Sequence, residues 1–146
     1  MSKASDGSDG PPISPIIRAT RDRPISVEQL AGVFVRSGIR RPTDDLPRLQ
    51  KMIEHADLFA GAWFGERLVG VARALTDFSY CCYLSDIAVD RDYQRMGIGK
   101  ALIQHIRGQL SDEVTIVLVA APEANDYYKP LGFEWVNNAW RIPRRR

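Results

Sequence analysis

Cysteine and histidine are scarce in this 146-residue chain, with two of each. Cys81 and Cys82 are neighbours, and adjacent residues on a strand point to opposite faces, so they cannot readily bridge; a reducing, cytoplasmic setting fits. His55 and His105 fall on separate predicted helices with no cysteine or carboxylate cluster at ligand spacing, so no metal is expected. An excess of one charge is also missing. Twenty basic against 18 acidic side chains leave a net charge of +2, too little to recruit an anionic membrane, and nucleic acid is disfavoured as a partner. The apolar run VTIVLVAA, residues 114–121, is too short to cross a bilayer. Residues 1–13 lack the apolar core of a signal peptide, and their Ser, Asp, Gly and Pro content reads as a disordered leader. No internal repeat divides the rest, and 45% hydrophobic content supplies one core. One domain is therefore expected over residues 14–142, with a solvated basic tail at 143–146.

Local patterns place the elements. Ile16 to Ala19 reads as a first strand. Ser26 and Gln29 have the spacing of a capping box before a helix carrying Leu30, Val33 and Phe34, which Gly38 stops. Pro42 and Thr43 lead to a second helix, with Pro47 near its start and Leu46, Leu49, Ile53 and Ala56 on one face. Leu58 to Phe64 and Arg67 to Leu75 are strands joined by Gly65 and Glu66. Tyr80 to Val89 is the next strand, ended by Asp90, Arg91 and Asp92. Leu102, Ile106 and Leu110 continue helically from Ile98, and residues 114–121 have the composition of a strand buried on both faces. Pro122 to Leu131 reads as a short helix. Phe133 to Val136 and Ala139 to Ile142 read as short strands around an Asn137-Asn138 turn.

The richest stretch is DIAVDRDYQRMGIGKAL, residues 86–102. A strand runs into a glycine turn that opens a helix, where unpaired N–H groups and the positive end of the helix dipole favour an anion. A dinucleotide fingerprint needs a third glycine where Leu102 stands; a P-loop needs glycine at Gln94 and Ser or Thr at Ala101. What remains, QRMGIG at 94–99, matches the Q/R-x-x-G-x-G/A signature of the GNAT superfamily of acyl-CoA-dependent N-acetyltransferases. ANDYYKPLGF, at 124–133, resembles that family's second segment, A-x-x-hydrophobic-Y-x-x-x-G-F. The chain thus resembles a small, bacterial-type, single-domain GNAT protein from about Ile16 to Arg141.

The resemblance implies a mixed α/β fold: a central, mostly antiparallel sheet with a parallel splayed strand pair, and helices on both faces. It implies acetyl-CoA as cosubstrate. Its pantetheine arm would pair with the backbone of Ile87, Ala88 and Val89, and its pyrophosphate would lie on Arg95, Met96, Gly97, Ile98, Gly99 and Lys100. Asn125, inside the start of the short helix and displaced from the family's usual asparagine position, is the remaining candidate for a cofactor contact. Tyr128 occupies the position of the tyrosine that protonates the departing thiolate, with Tyr127 the neighbouring alternative; a phenol with a pKa of about 10 keeps its proton at neutral pH. Asp86 is the candidate base, directly or through a water, with a structural hydrogen-bond acceptor as the other reading; an unpaired carboxylate there is expected to face the cleft. Tyr80, Tyr83 and Trp140 are candidates for an acceptor pocket. The implied reaction is direct acetyl transfer to a small-molecule or peptide amine in a ternary complex. A non-catalytic acyl-CoA sensor is the competing class, and a homodimer is left open.

Overall fold

The computed structural model describes residues 14–146; the expected leader lies outside the described residues. Helix α1 (Val27–Ser37) starts as its sequence dictates: the Gln29 N–H donates to Ser26 Oγ at 3.0 Å, and the Ser26 N–H to Gln29 Oε1 at 2.9 Å. This reciprocal cap satisfies donors that the first turn leaves orphaned. Gly38 ends it in the left-handed region, φ 83°, donating to the Phe34 and Val35 carbonyls. Helix α2 (Leu46–Glu54) is capped by Asp45, whose side chain accepts from the Arg48 N–H. Leu49 is fully buried, Leu46 is exposed, and Ala56 falls beyond the helix end.

Five strands form one sheet in chain order: β1 (Ile16–Ala19), β2 (Leu58–Phe64), β3 (Arg67–Thr76), β4 (Cys81–Val89) and β5 (Thr115–Val117). Every pairing is antiparallel except the last, β4 with β5. Helix α3 (Ile98–Gly108) enters the parallel strand from β4, and its Leu102, Ile103 and Ile106 pack on Ala60, Ala72 and Leu84. The opposite face is covered by α1 and α2, which bury Leu30, Phe34 and Leu49 against Trp63, Val71 and Ala88. The mixed sheet with helices on both faces agrees with the sequence reading. Gly70 has a packing duty the sequence did not announce: a Cβ there would stand 3.2 Å from both Ile98 Cγ2 and Leu102 Cδ1, so its absence lets α3 sit close to β3.

One register shift organises the site. Arg73 pairs with Asp86 but Ala74 pairs with Leu84, so Ser85 is an extra residue, a bulge in β4. Cys82 and Leu84 therefore lie on the α3 side, whereas Ala88 packs under α1 and α2. The β3–β4 connection is also built by a side chain. Asp77 Oδ1 accepts the N–H groups of Tyr80, Ser79 and Cys81, and these bonds lower its pKa to about 2. Tyr80 belongs to this turn, and β4 begins at Cys81.

Three expectations for the C-terminal third are corrected. The run 114–121 is not a doubly buried strand: only Thr115–Val117 pair, and Thr115 and Val117 are exposed, because no strand lies beyond β5 among the described residues. Pro122 to Leu131 forms two 3₁₀ turns, Pro122–Tyr127 and Lys129–Leu131; Pro130 has no N–H to continue an α-helical ladder. Residues 133–136 and 139–142 form no strands, since a lone two-stranded hairpin is marginal without a third strand or a packed face. No described residue beyond Ile106 is buried.

Candidate functional site

The β4 backbone loses its parallel neighbour early. Pairing with β5 ends at Tyr83 and Val117, while β4 runs on to Val89. From Leu84 to Val89 one strand edge thus has no strand beside it among the described residues, so an extended ligand arm can add there like another strand. Ile87, Ala88 and Val89 lie along this edge; the Val89 carbonyl accepts from Gln94 Nε2 at 2.9 Å.

The edge leads into the glycine turn. Asp90 closes β4, and a 3₁₀ turn, Arg91–Tyr93, follows. Arg95 and Gly97 then adopt left-handed backbone, φ 66° and 81°, a conformation that points successive N–H groups into a concavity suited to an anion. No side chain caps α3, leaving the first-turn N–H groups of Ile98, Gly99 and Lys100 for a ligand. Ile98 is buried and anchors the turn, whereas Met96, Arg95 and Lys100 are exposed. Beside this turn a groove of about 310 Å³ carries the cations Lys100 and Arg107 against Pro130 and Gly132.

The two tyrosines part company here. A Cβ on Gly99 would collide with the Tyr127 hydroxyl, so that hydroxyl lies over the first turn of α3. Tyr128 is half-buried against the α3-side core, edge-on to Phe133 at 5.6 Å and to Tyr127 at 5.1 Å. Burial raises both phenol pKa values, and Tyr127 adds to the rise at Tyr128, so both keep their protons at neutral pH. Asn125 is exposed in the first 3₁₀ turn.

Of the two readings of Asp86, the contacts fit the structural hydrogen-bond acceptor. Its carboxylate is not unpaired at the cleft: it is 1% exposed, with one oxygen taken by Arg41 Nε and the other by Arg73 Nε. The guanidinium groups also hold the bulge, Arg41 Nη2 donating to the Ser85 carbonyl at 2.9 Å and Arg73 Nη2 to Ser85 Oγ at 3.1 Å. The physical reason is the one that makes a lone buried carboxylate costly: a charge removed from water needs partners. Arg73, a lone charge inside LVGVARAL, was the available signal for this cluster. Arg41 gave none, because it comes from the loop between α1 and α2. Nor do Tyr80, Tyr83 and Trp140 gather into a pocket; they are 77%, 43% and 96% exposed.

A second buried carboxylate secures the start of the turn. Asp90 accepts from Arg36 at 2.7 Å and Arg67 at 3.2 Å, and from the Asp92 N–H. Burial alone would raise its pKa, but the N–H and the guanidinium groups outweigh burial and lower it. A depressed folded-state pKa contributes stability that is full above the unfolded value of about 3.9 and lost as pH falls through the folded value. Asp90→Asn is expected to lower the urea midpoint at neutral pH and to flatten its fall below about pH 4. Parallel acid limbs in the two proteins would reject this assignment.

Comparisons with known proteins agree with this architecture. A family model described as the acetyltransferase (GNAT) family matches residues 27–133. The chain is 34% identical over 101 residues to an uncharacterized N-acetyltransferase, ycf52, of Gracilaria tenuistipitata var. liui, covering 65% of this chain and 54% of that protein. It spans about half or less of the length of the curated relatives it matches first. Among solved structures, SA2161 of meticillin-resistant Staphylococcus aureus superposes with a TM-score of 0.74 at 20% identity, over 88% of this chain and all of that one. The aminoglycoside N-acetyltransferase AAC(6')-Iy, in complex with CoA, does so with a TM-score of 0.65 at 19% identity, over 90% and 95%. Both share the fold. No helix among the described residues is long and apolar enough to cross a membrane.

Proposed function

The chain belongs to the acetyltransferase (GNAT) family, and from that premise we propose that it moves the acetyl group of acetyl-CoA to a primary amine by direct attack in a ternary complex. The observation that carries this reading is the open β4 edge running straight into an uncapped, left-handed glycine turn. A ligand with an amide-bearing arm and a pyrophosphate matches that sequence of unpaired strand backbone and helix N-terminus. The Lys100 and Arg107 groove supports a place for further phosphate charge.

The chemistry assigned to the chain is modest. The amine lone pair attacks the acetyl carbon, the carbon–sulfur bond breaks, and the Tyr128 hydroxyl gives its proton to the departing sulfur. With both Asp86 oxygens engaged by arginines, the proton leaving the amine is assigned to water, and Asp86 becomes a positioning residue that fixes the Ser85 bulge. The acceptor is a small-molecule or peptide amine, and the setting is cytoplasmic, consistent with two free adjacent thiols. The absence of a free carboxylate at Asp86 favours a second reading, a sensor that binds acyl-CoA without efficient transfer.

A panel of amines and peptides, assayed for CoA release alongside calorimetric binding of acetyl-CoA, separates the two. Release with any acceptor supports transfer; binding without release from any member supports the sensor; no binding removes both. For the enzyme, Tyr128→Phe is expected to keep acetyl-CoA affinity and lower kcat by about 10²-fold. An unchanged kcat, where chemistry limits turnover, would move the role to Tyr127 or water.

A further inference from the structure

On the face of the sheet that α1 and α2 cover, cations outnumber the acids set against them. At the Ser85 bulge the single carboxylate of Asp86 stands between two guanidinium groups, Arg41 and Arg73. Arg41 carries the surplus charge to the start of the open β4 edge: its Nη2 donates to the Ser85 carbonyl at 2.9 Å, and its side chain is 26% exposed. Tight turns then lead to α2, the Thr43 N–H donating to the Arg41 carbonyl at 2.8 Å and the Asp45 N–H to the Pro42 carbonyl at 3.1 Å. Arg48 follows in the first turn of α2, where its Nη2 donates to the Arg146 carbonyl at 3.3 Å. Phe133 packs on the α3-side core, so residues 134–145 pass to the opposite face and set the exposed Arg144, Arg145 and Arg146 beside α2. The loop's own acids are Asp44 and Asp45, and Asp45 is engaged in capping α2. Among the described residues, Arg40, Arg48 and the three terminal arginines form no ion pair with a side-chain carboxylate.

We propose, resting on the acetyl-transfer reading above, that this basic rim selects the acceptor: a peptide amine whose neighbouring residues carry carboxylates. The carboxylates lie across Arg41, Arg48 and the terminal arginines while the amine reaches the β4–β5 gap. A guanidinium fork pairs with a carboxylate through two N–H groups at once. The cations are spread over a loop, a helix turn and a chain end, a span that carboxylates in series match and a single small anion does not. Lysine-rich acceptors are repelled by like charge. Nucleic acid matches the sign of the rim but not the chemistry: its exocyclic amines share their lone pairs with aromatic bases and are poor nucleophiles. Each exposed pair is weak and screened by salt, so the selection comes from their sum.

Binding and turnover are read separately, on peptides of one length with Glu, Ala or Lys in the positions after a free amino terminus. Fluorescence anisotropy of carboxy-terminally labelled peptides reports binding whether or not an acetyl group moves; CoA release reports transfer. The Glu peptide is expected to bind about tenfold more tightly than the Ala peptide at low salt, to lose that advantage at about 0.5 M salt, and to show the same order in kcat/KM. Arg48→Gln and, separately, the Arg144→Gln/Arg145→Gln/Arg146→Gln triple variant should each cut the Glu-to-Ala ratio several-fold. None of these four side chains is buried, so the fold tolerates the changes. Equal binding of the three peptides overturns the proposal, and CoA release from them would leave acetyl transfer standing. A Glu preference that ignores both variants overturns it, as does tighter binding of a single-stranded oligonucleotide than of the Glu peptide. Arginine-dependent binding of the Glu peptide without CoA release from any acceptor supports the acidic-peptide surface and overturns the transfer reading instead.

Discussion

Gly99→Glu is expected to weaken acetyl-CoA binding by about 10³-fold while the protein stays folded. A carboxylate in the first turn of a helix is favourable to the helix, by about 0.3–1 kcal/mol. The new Cβ meets only the end of the Tyr127 side chain, its hydroxyl and the ring atoms behind it, and that exposed side chain can swing away. The ligand does not fare as well. A fixed negative charge about 4 Å from a phosphate costs about 4 kcal/mol at an effective dielectric constant near 20, which is about 10³-fold in affinity. Gly99→Ala is the control: it displaces Tyr127 without adding charge and should cost far less. Calorimetry on both variants, with a thermal melt to verify folding, decides the matter. A folded Gly99→Glu protein with undiminished affinity would remove the pyrophosphate from this turn.

Asp86→Asn is expected to lose about 3–5 kcal/mol of folding stability, because it leaves two guanidinium groups, one of them buried, facing a neutral amide. This outcome distinguishes a clamp from a base. A general base that stood free in the cleft would leave stability nearly intact when neutralised and would remove the low-pH limb of the rate profile. A clamp does the opposite: stability falls steeply, and whatever activity survives keeps its pH profile. Urea melts beside pH–rate profiles read both quantities from the same pair of proteins. Intact stability together with a vanished acid limb would return the base role to Asp86.

The legible parts of this fold were those with local causes. The Ser26–Gln29 box, the Gly38 stop, the Gly65 hairpin and the QRMGIG turn each need only neighbouring residues, and each formed as read. The Ser85 bulge was invisible for a physical reason. Cys82, Leu84, Asp86 and Ala88 are all buried, so the alternation runs unbroken through the bulge, although α3 covers the first two and Ala88 lies under α1 and α2 on the other face. Period two reports burial, not which layer buries. The same blindness hid Arg41, whose partner lies 45 positions away. At residues 114–121 the apolar composition reads as burial on both faces, but composition cannot tell a central strand from an edge strand. The glycine turn was thus placed by sequence, whereas the environment of Asp86 needed the fold.

The last buried residue, Ile106, divides the molecule into two tiers of opening free energy. Hydrogen exchange in β1–β4 and in α3 should approach the global unfolding limit, because those amides are released only when the two cores come apart. Everything from β5 onward is held by half-buried contacts and can open by itself. The glycine turn belongs to the slow tier, and Tyr128 to the fast one. A ligand that spans the turn and the β4–β5 gap therefore binds a surface of which one wall is already rigid, and spends part of its binding free energy ordering the other. Its affinity and the protection it confers on amides near Tyr128 should rise and fall together across any series of variants in the C-terminal third.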